Sequence, residues 1–339
     1  MKRSTQRFLW GVVLLAAAGI ASWAASSLAP WSGQAPSASL PYLVQQVDFG
    51  NQAARIRLAG TLTLPRGGGP HPAIVLIPGQ GEVDRDGAVL GHRFYQVLAD
   101  DLTRRGFAVL RSDKRGLGAS GGDFVRATSY DFASDIQAGL AFLRSRPEVD
   151  ARRIGLVGHS EGALVGAIVA GREERLAFLV LMAGNGIPAG EMLLSRMTAQ
   201  RERVLLKAVV SAVQAPREAE REAALRALDA QAEAAPYLTP WMRTLLSIDP
   251  QAVLRQVRCP VLALVGDKDL VVRADANIPA LTQALAANPR ARVERLPGLN
   301  HFFQTAQTGE FSEVTGIRET MSPRVLALIG NWALQQAAR

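Results

Sequence analysis

The chain has almost no cysteine. Cys259 is the single one among 339 residues, so no internal disulfide can form and stability has to come from a packed core. Cys259 itself opens the apolar run "CPVLALVG", where a small buried core residue is expected rather than a nucleophile. Aromatic residues are sparse at 6% and lysines are few, so the formal charge of +8 is carried mainly by arginine. The arginines are scattered through helical stretches near Glu or Asp. The aromatic-interleaved basic stripe of a nucleic-acid-binding surface is missing, and no nucleic-acid partner is expected. Long apolar runs are missing too, apart from one near the N-terminus, which excludes a multi-span membrane protein. With 48% hydrophobic and 20% charged residues, what remains is a globular chain able to bury a sizeable core.

The one long apolar run, "FLWGVVLLAAAGIASWAASSLA", follows the basic start "MKRSTQR". This pattern suits either a secretory signal peptide or an N-terminal membrane anchor over residues 1–29, and both send the chain out of the cytoplasm. The expected location is periplasmic, secreted, or anchored to the inner membrane, with any membrane association made through this segment only. Residues 30–41 turn to Ser, Ala, Pro and Gly, as a flexible linker does, and the folded domain is expected over 42–339.

"LVQQVDFG" and "ARIRLAGTLTLP" read as two antiparallel strands at a sheet edge. Thereafter short apolar runs, "AIVLIPG", "FAVLRSD", "RIGLVGHS", "AFLVLMAG", "CPVLALVGDKD" and "ARVERLPG", alternate with stretches of helical period near 92–105, 128–146, 161–171, 275–288 and 322–338. Strand and helix in alternation predict an α/β fold with a doubly wound, mostly parallel sheet. The crossover between "LVLMAGNG" and "CPVLALVG" is far longer than one helix and two loops require. Its strong helix formers predict a helical cap insertion at about 187–255.

In such a sheet the ligand crevice lies beyond the carboxyl ends of the strands, so the loops there are where chemistry is expected. Gly158-His159-Ser160-Glu161-Gly162 matches G-x-S-x-G between an apolar strand and the small-residue run "ALVGAIVAG". A turn of this kind projects the serine hydroxyl, and its flanking glycines, Gly158 and Gly162, allow strand and helix to approach closely. A serine needs a base. His301, after the last strand, has the position expected of it; His71 sits between prolines in a loop, His92 precedes a helix start at the upper edge of the sheet, and His159 is turned away from the serine. Asp267 and Asp269 both follow the strand "LALVG". Asp269 is expected to orient the imidazole, with Asp267 serving the turn. The oxyanion donors are expected to be the backbone N–H groups of Glu161 and of Gln80, the latter in the Pro78–Gly81 loop. No metal or organic cofactor is expected.

These motifs resemble the α/β-hydrolase superfamily from about Leu43 onward. "SDKRGLGASGG" is similar to a D-x-R-G-x-G-x-S turn common there and structural in role. "IPGQGEVDRDG", "GHSEGA", "GDKDLVV" and "LNHFFQTAQTGEFSEVTGI" together resemble a narrower group of bacterial esterases and serine-aminopeptidase-like hydrolases. The resemblance implies an α/β-hydrolase fold with Ser160 as nucleophile, Asp269 as acid, His301 as base, and the Gln80 and Glu161 amides as oxyanion donors. Pro78-Gly79 stands where many members have His-Gly, which leaves a backbone donor intact. The implied activity is hydrolysis of carboxylic esters of small to medium acyl groups through an acyl-enzyme, so the expected partner is a small-molecule ester; the sequence sets no oligomeric state. Two alternatives remain. One is an aminopeptidase or amidase, with Glu161, Glu82 or a cap acid holding an amino terminus. The other is a non-catalytic binding protein on the same fold.

Overall fold

The computed structural model describes residues 34–37 and 39–338. The expected signal peptide or anchor, residues 1–29, and residues 30–33 and 38 of the expected linker therefore lie outside the described residues. Among the described residues no helix is long and apolar enough to cross a membrane.

Strands β1 (Tyr42–Asn51) and β2 (Ile56–Pro65) form an antiparallel pair in register from Tyr42 opposite Pro65 to Asn51 opposite Ile56. Strand β3 (His71–Ile77) is followed by a separate two-stranded hairpin, β4 (Ala88–Val89) and β5 (His92–Arg93), and by helix α1 (Phe94–Arg104). The series continues with β6 (Ala108–Ser112), α2 (Ser129–Arg144), β7 (Val149–His159), α3 (Glu161–Ala170) and β8 (Phe178–Met182). After a long helical excursion come β9 (Val261–Gly266), α9 (Ala274–Leu285), β10 (Ala291–Leu296) and α10 (Pro323–Ala337).

The eight long strands lie in the order β1-β2-β6-β3-β7-β8-β9-β10. β1, β2 and β6 are joined antiparallel, and every pairing from β6 to β10 is parallel. The stretches at the centre of the sheet, such as residues 73–77, residues 154–158, Phe178–Met182 and Val261–Gly266, are apolar on both faces because helices cover both sides. Helices α2, α3 and α9 pack on one face with Leu140, Val165 and Leu281, and α1 and α10 cover the other with Leu98 and Ile329. Cys259 is buried in the first of these cores, and burial pushes its thiol pKa up to about 12.

The chain moves from β3 out to β6 and then back across to β7, so β3 is flanked by two strands reached in opposite directions. That is the switch point at which open α/β sheets form a crevice. It brings the loops after β6, β3 and β7 side by side.

Residues 189–254 fold into α4 (Ala189–Arg196), α5 (Gln200–Val213), α6 (Glu218–Asp229), α7 (Pro240–Ser247) and α8 (Pro250–Leu254). They enclose a core of their own around Leu206, Val209, Leu225, Tyr237 and Leu246. Trp241 and Leu245 of α7 pack against this core and against the sheet core together. Thr239 caps α7 and Pro240 occupies its first turn, where a missing N–H costs nothing.

Two of the histidines set aside as bases stand elsewhere than their neighbours in sequence suggested. His71 begins strand β3, pairing with Val149, because the proline beside it is tolerated at a strand start. His92 belongs to the small hairpin rather than to the main sheet. It is buried there, with Nδ1 3.1 Å from Thr320 Oγ1 and Nε2 3.2 Å from the Val314 carbonyl.

Candidate active site

Ser160 stands between β7 and α3 with φ 56° and ψ −120°, a backbone conformation that a non-glycine residue holds only where its surroundings enforce it. Its N–H donates to the Met182 carbonyl at 2.8 Å, and its own carbonyl accepts from Ala163 N at 2.9 Å. The flanking glycines leave no room for a side chain. A Cβ on Gly158 would lie 2.1 Å from the Gly162 carbonyl oxygen, and one on Gly162 would lie 2.2 Å from that of Ile77. Both clashes are with backbone, which cannot swing aside. Gly162→Ala is therefore expected to destabilise the protein by about 3 kcal/mol, read as a lower denaturation midpoint with an unchanged denaturant slope.

Asp269 and His301 come together from the ends of β9 and β10. Asp269 is buried, and its Oδ1 accepts the N–H groups of Val271 and Val272, both at 2.7 Å. That leaves Oδ2 to accept from His301 Nδ1 at 2.8 Å. With its proton on Nδ1, the imidazole presents Nε2 as an acceptor. Asp267, by contrast, braces the neighbouring loop: Oδ1 accepts the Gly298 N–H at 2.6 Å. The division of labour differs from that expected, since Asp269 both closes the turn after β9 and holds the imidazole. Among the described residues the Ser160 hydroxyl makes no hydrogen bond to His301, and such contacts often tighten only when substrate binds.

His159 links the serine turn to the histidine loop. Its Nε2 lies 2.9 Å from the His301 carbonyl, which can only accept, so Nε2 carries the proton. Nδ1 is then an acceptor for the Tyr95 hydroxyl at 3.3 Å, and the same hydroxyl accepts the Gly79 N–H at 2.8 Å. Gly79 packs closely here, since a Cβ on it would lie 3.3 Å from Ser160 Cβ. With the Gly79 N–H engaged, the next donor in the loop is Gln80. Neither the Gln80 N–H nor the Glu161 N–H, the first of α3, is hydrogen-bonded among the described residues.

Burial, reinforced by nearby His301, holds His159 down to about pKa 3 from an ordinary 6.5. The unfolded chain therefore binds a proton that the folded chain does not between those values. Stability is complete above pH 6.5 and declines as pH falls towards 3, by about 1.4 kcal/mol per pH unit for this one proton. Denaturant titrations at pH 7, 5 and 4 are expected to show that extra slope in the parent protein and its loss in His159→Gln.

The Glu161 side chain is not available to a substrate amine. Its carboxylate is buried, with Oε1 accepting from Ser129 Oγ at 2.8 Å and from Trp241 Nε1 at 2.6 Å, and Oε2 3.7 Å from Lys114 Nζ. Glu82 is exposed in the loop after β3. Burial lowers the Lys114 pKa, and Glu161 opposes that shift. Tyr95, Lys114 and Trp241 are not legible as site residues, because the contacts of Tyr95 and Lys114 depend on which strands are neighbours in the folded sheet and that of Trp241 on the packing of the helical cap. His159 is legible only as a histidine turned away from the serine. Only the position of His159 inside the G-x-S-x-G stretch gave a local signal. Among the described residues, no group of three or more His, Cys, Asp or Glu side chains is arranged to hold a metal ion.

The family model described as serine aminopeptidase, S33, matches residues 86–305. EstD, an esterase of Thermotoga maritima, is 23% identical over 280 residues, 82% of this chain and 66% of that protein. An uncharacterized Pseudomonas aeruginosa protein, PA2218, is 35% identical over 117 residues, 34% of this chain and 29% of that protein. The chain thus aligns with just under two thirds of EstD and under a third of PA2218. Among solved structures, the Pyrococcus furiosus esterase Pf2001 superposes with a TM-score of 0.59 at 15% identity, covering 91% of this chain and 98% of that one. At that identity the likeness is one of fold.

Proposed function

The chain belongs to the serine aminopeptidase, S33, family, and from that premise we propose that it is a serine hydrolase cleaving carboxylic esters of small to medium acyl groups. The observation that carries this reading is the bond from His301 Nδ1 to the buried Asp269 carboxylate, at the same end of the sheet as the strained Ser160 turn. Ser160 Oγ adds to the ester carbonyl carbon while His301 Nε2 takes the hydroxyl proton. The Gln80 and Glu161 N–H groups receive the oxygen that becomes negative, aided by the positive end of α3. Expulsion of the alcohol takes the proton from His301 and leaves an acyl group on Ser160. Water repeats the sequence and releases the acid.

Among the acids that could hold an amino terminus, Glu161 is removed from the aminopeptidase reading because its carboxylate is committed to Ser129, Trp241 and Lys114, while Glu82 is exposed to solvent. The preference for esters rests on the loss of Glu161 and on the esterase relatives. An aminopeptidase needs a carboxylate free to meet the substrate's ammonium group, whereas an ester substrate does not. The relative EstD and the structural neighbour Pf2001 are both named esterases. Parallel assays on p-nitrophenyl acetate, butyrate and octanoate and on leucine and alanine p-nitroanilides test the assignment. The expected result is turnover of the esters with kcat/KM at least about a hundredfold above either anilide, equivalent to roughly 2.7 kcal/mol of transition-state binding. Faster turnover of an anilide would reverse the assignment to the peptidase.

A further inference from the structure

Resting on that reading of the site, we propose that Lys114 is a positioning residue that sets the direction of the Gln80 N–H by holding the carbonyls on either side of it. Lys114 lies just past β6, and β6 lies beside β3 in the sheet, so its side chain runs under the loop that leaves β3. Nζ donates to the Gly79 carbonyl at 2.5 Å and to the Gly81 carbonyl at 3.2 Å. The peptide carrying the Gln80 N–H includes the Gly79 carbonyl. Fixing that oxygen therefore fixes the opposite end of the same planar unit. The second bond, to the Gly81 carbonyl, ties the loop down beyond Gln80 as well.

Lys114 is itself held. Its side chain is only 5% exposed, its ammonium lies 4.7 Å from the centroid of the Phe132 ring, and its third side faces Glu161 Oε2 at 3.7 Å. Glu161 is fixed in turn by Ser129 and by Trp241, which packs on both the sheet core and the helical core. The residue that contributes one oxyanion N–H from its backbone thus anchors, through its side chain, the cation that aims the other. A buried cation and anion of this kind are costly to desolvate, and a methionine beside a glutamine would fill similar volume without either charge. The D-x-R-G-x-G-x-S turn needs Asp113 and Arg115 for its shape, through bonds to Arg85 and to Asp131 and Asp135. Lys114 takes no part in those contacts and points into the site instead.

Lys114→Met alone strands the Glu161 charge, so the test also uses Lys114→Met with Glu161→Gln, in which glutamine keeps an acceptor for Ser129 and Trp241. Activity is referred to sites titrated with a fluorophosphonate, so that any unfolded fraction does not count. The expected result is a fall in kcat on p-nitrophenyl butyrate of at least about tenfold with KM within about twofold, since a misdirected oxyanion donor costs up to the roughly 10²–10³-fold of a lost one. An alkyl trifluoromethyl ketone, which forms a tetrahedral oxyanion on the serine, is expected to inhibit at least about tenfold more weakly, while the matching methyl ketone is unaffected. A folded double variant with the parent kcat and the parent ratio of the two ketones would overturn the role of Lys114. Loss of activity in Ser160→Ala alongside that outcome would leave the hydrolase reading standing.

Discussion

Replacing Asp269 with asparagine is expected to lower kcat about ten-thousandfold while leaving KM and the unfolding midpoint nearly unchanged. The reason is the orientation forced on the new side chain. Two backbone N–H groups, of Val271 and Val272, point at one oxygen of Asp269. Asparagine must turn its only oxygen to them, because its NH₂ would leave both donors unsatisfied. The NH₂ then faces His301 Nδ1, which has to become the acceptor. The proton moves to Nε2, and a protonated Nε2 cannot take the proton of Ser160. Size and turn geometry are kept while the buried negative charge beside His301 is lost, so the loss falls on the tautomer and on the stabilisation of the imidazolium, both parts of the chemistry. A substitution that lowered kcat by only a few fold would mean that His301 is not the base, or that its tautomer does not matter.

Ser160→Ala is expected to reduce ester turnover by about a thousandfold or more, with folding intact. The turn itself survives the change. Ser160 holds its strained backbone through its N–H to Met182 and its carbonyl to Ala163, and alanine keeps both. The hydroxyl makes no hydrogen bond to His301 among the described residues, so its removal strands no buried partner. The melting temperature is expected to shift by no more than a few degrees. Residual turnover then reports what the oxyanion donors and binding achieve without a nucleophile. Retention of most of the activity would remove Ser160 from the reaction.

Much of this arrangement is written locally. The strands are short apolar runs, and their carboxyl ends are where ligand loops must lie, so Ser160, Asp269 and His301 are each legible as polar residues in the loop after a strand. The two glycines around Ser160 are required by steric need alone. The hidden contacts depend on which strands are neighbours. Nothing in "SDKRG" indicates that Lys114 lies beneath Gly79 and Gly81, because that contact requires β6 beside β3, two strands separated in the chain by the small hairpin and a helix. Tyr95 meets Gly79 and His159 for the same reason. Glu161 is legible through its backbone but not through its side chain, since its partners Ser129 and Trp241 come from opposite directions along the chain. Asp267 and Asp269 are hard to divide because both lie after one strand, and only the position of the β10 loop decides which one braces Gly298 and which one meets His301.

Covalent labelling decides whether Ser160 is the nucleophile of a working hydrolase site. Folded protein is treated with a fluorophosphonate probe at neutral pH, digested, and mapped by mass spectrometry. A single stoichiometric adduct is expected on the peptide spanning "IGLVGHSEGALVG", located at Ser160, and absent after heat denaturation or in His301→Ala. Failure of folded protein to react, or an adduct on another residue, would contradict the assignment of Ser160 and leave the fold serving as a binding protein.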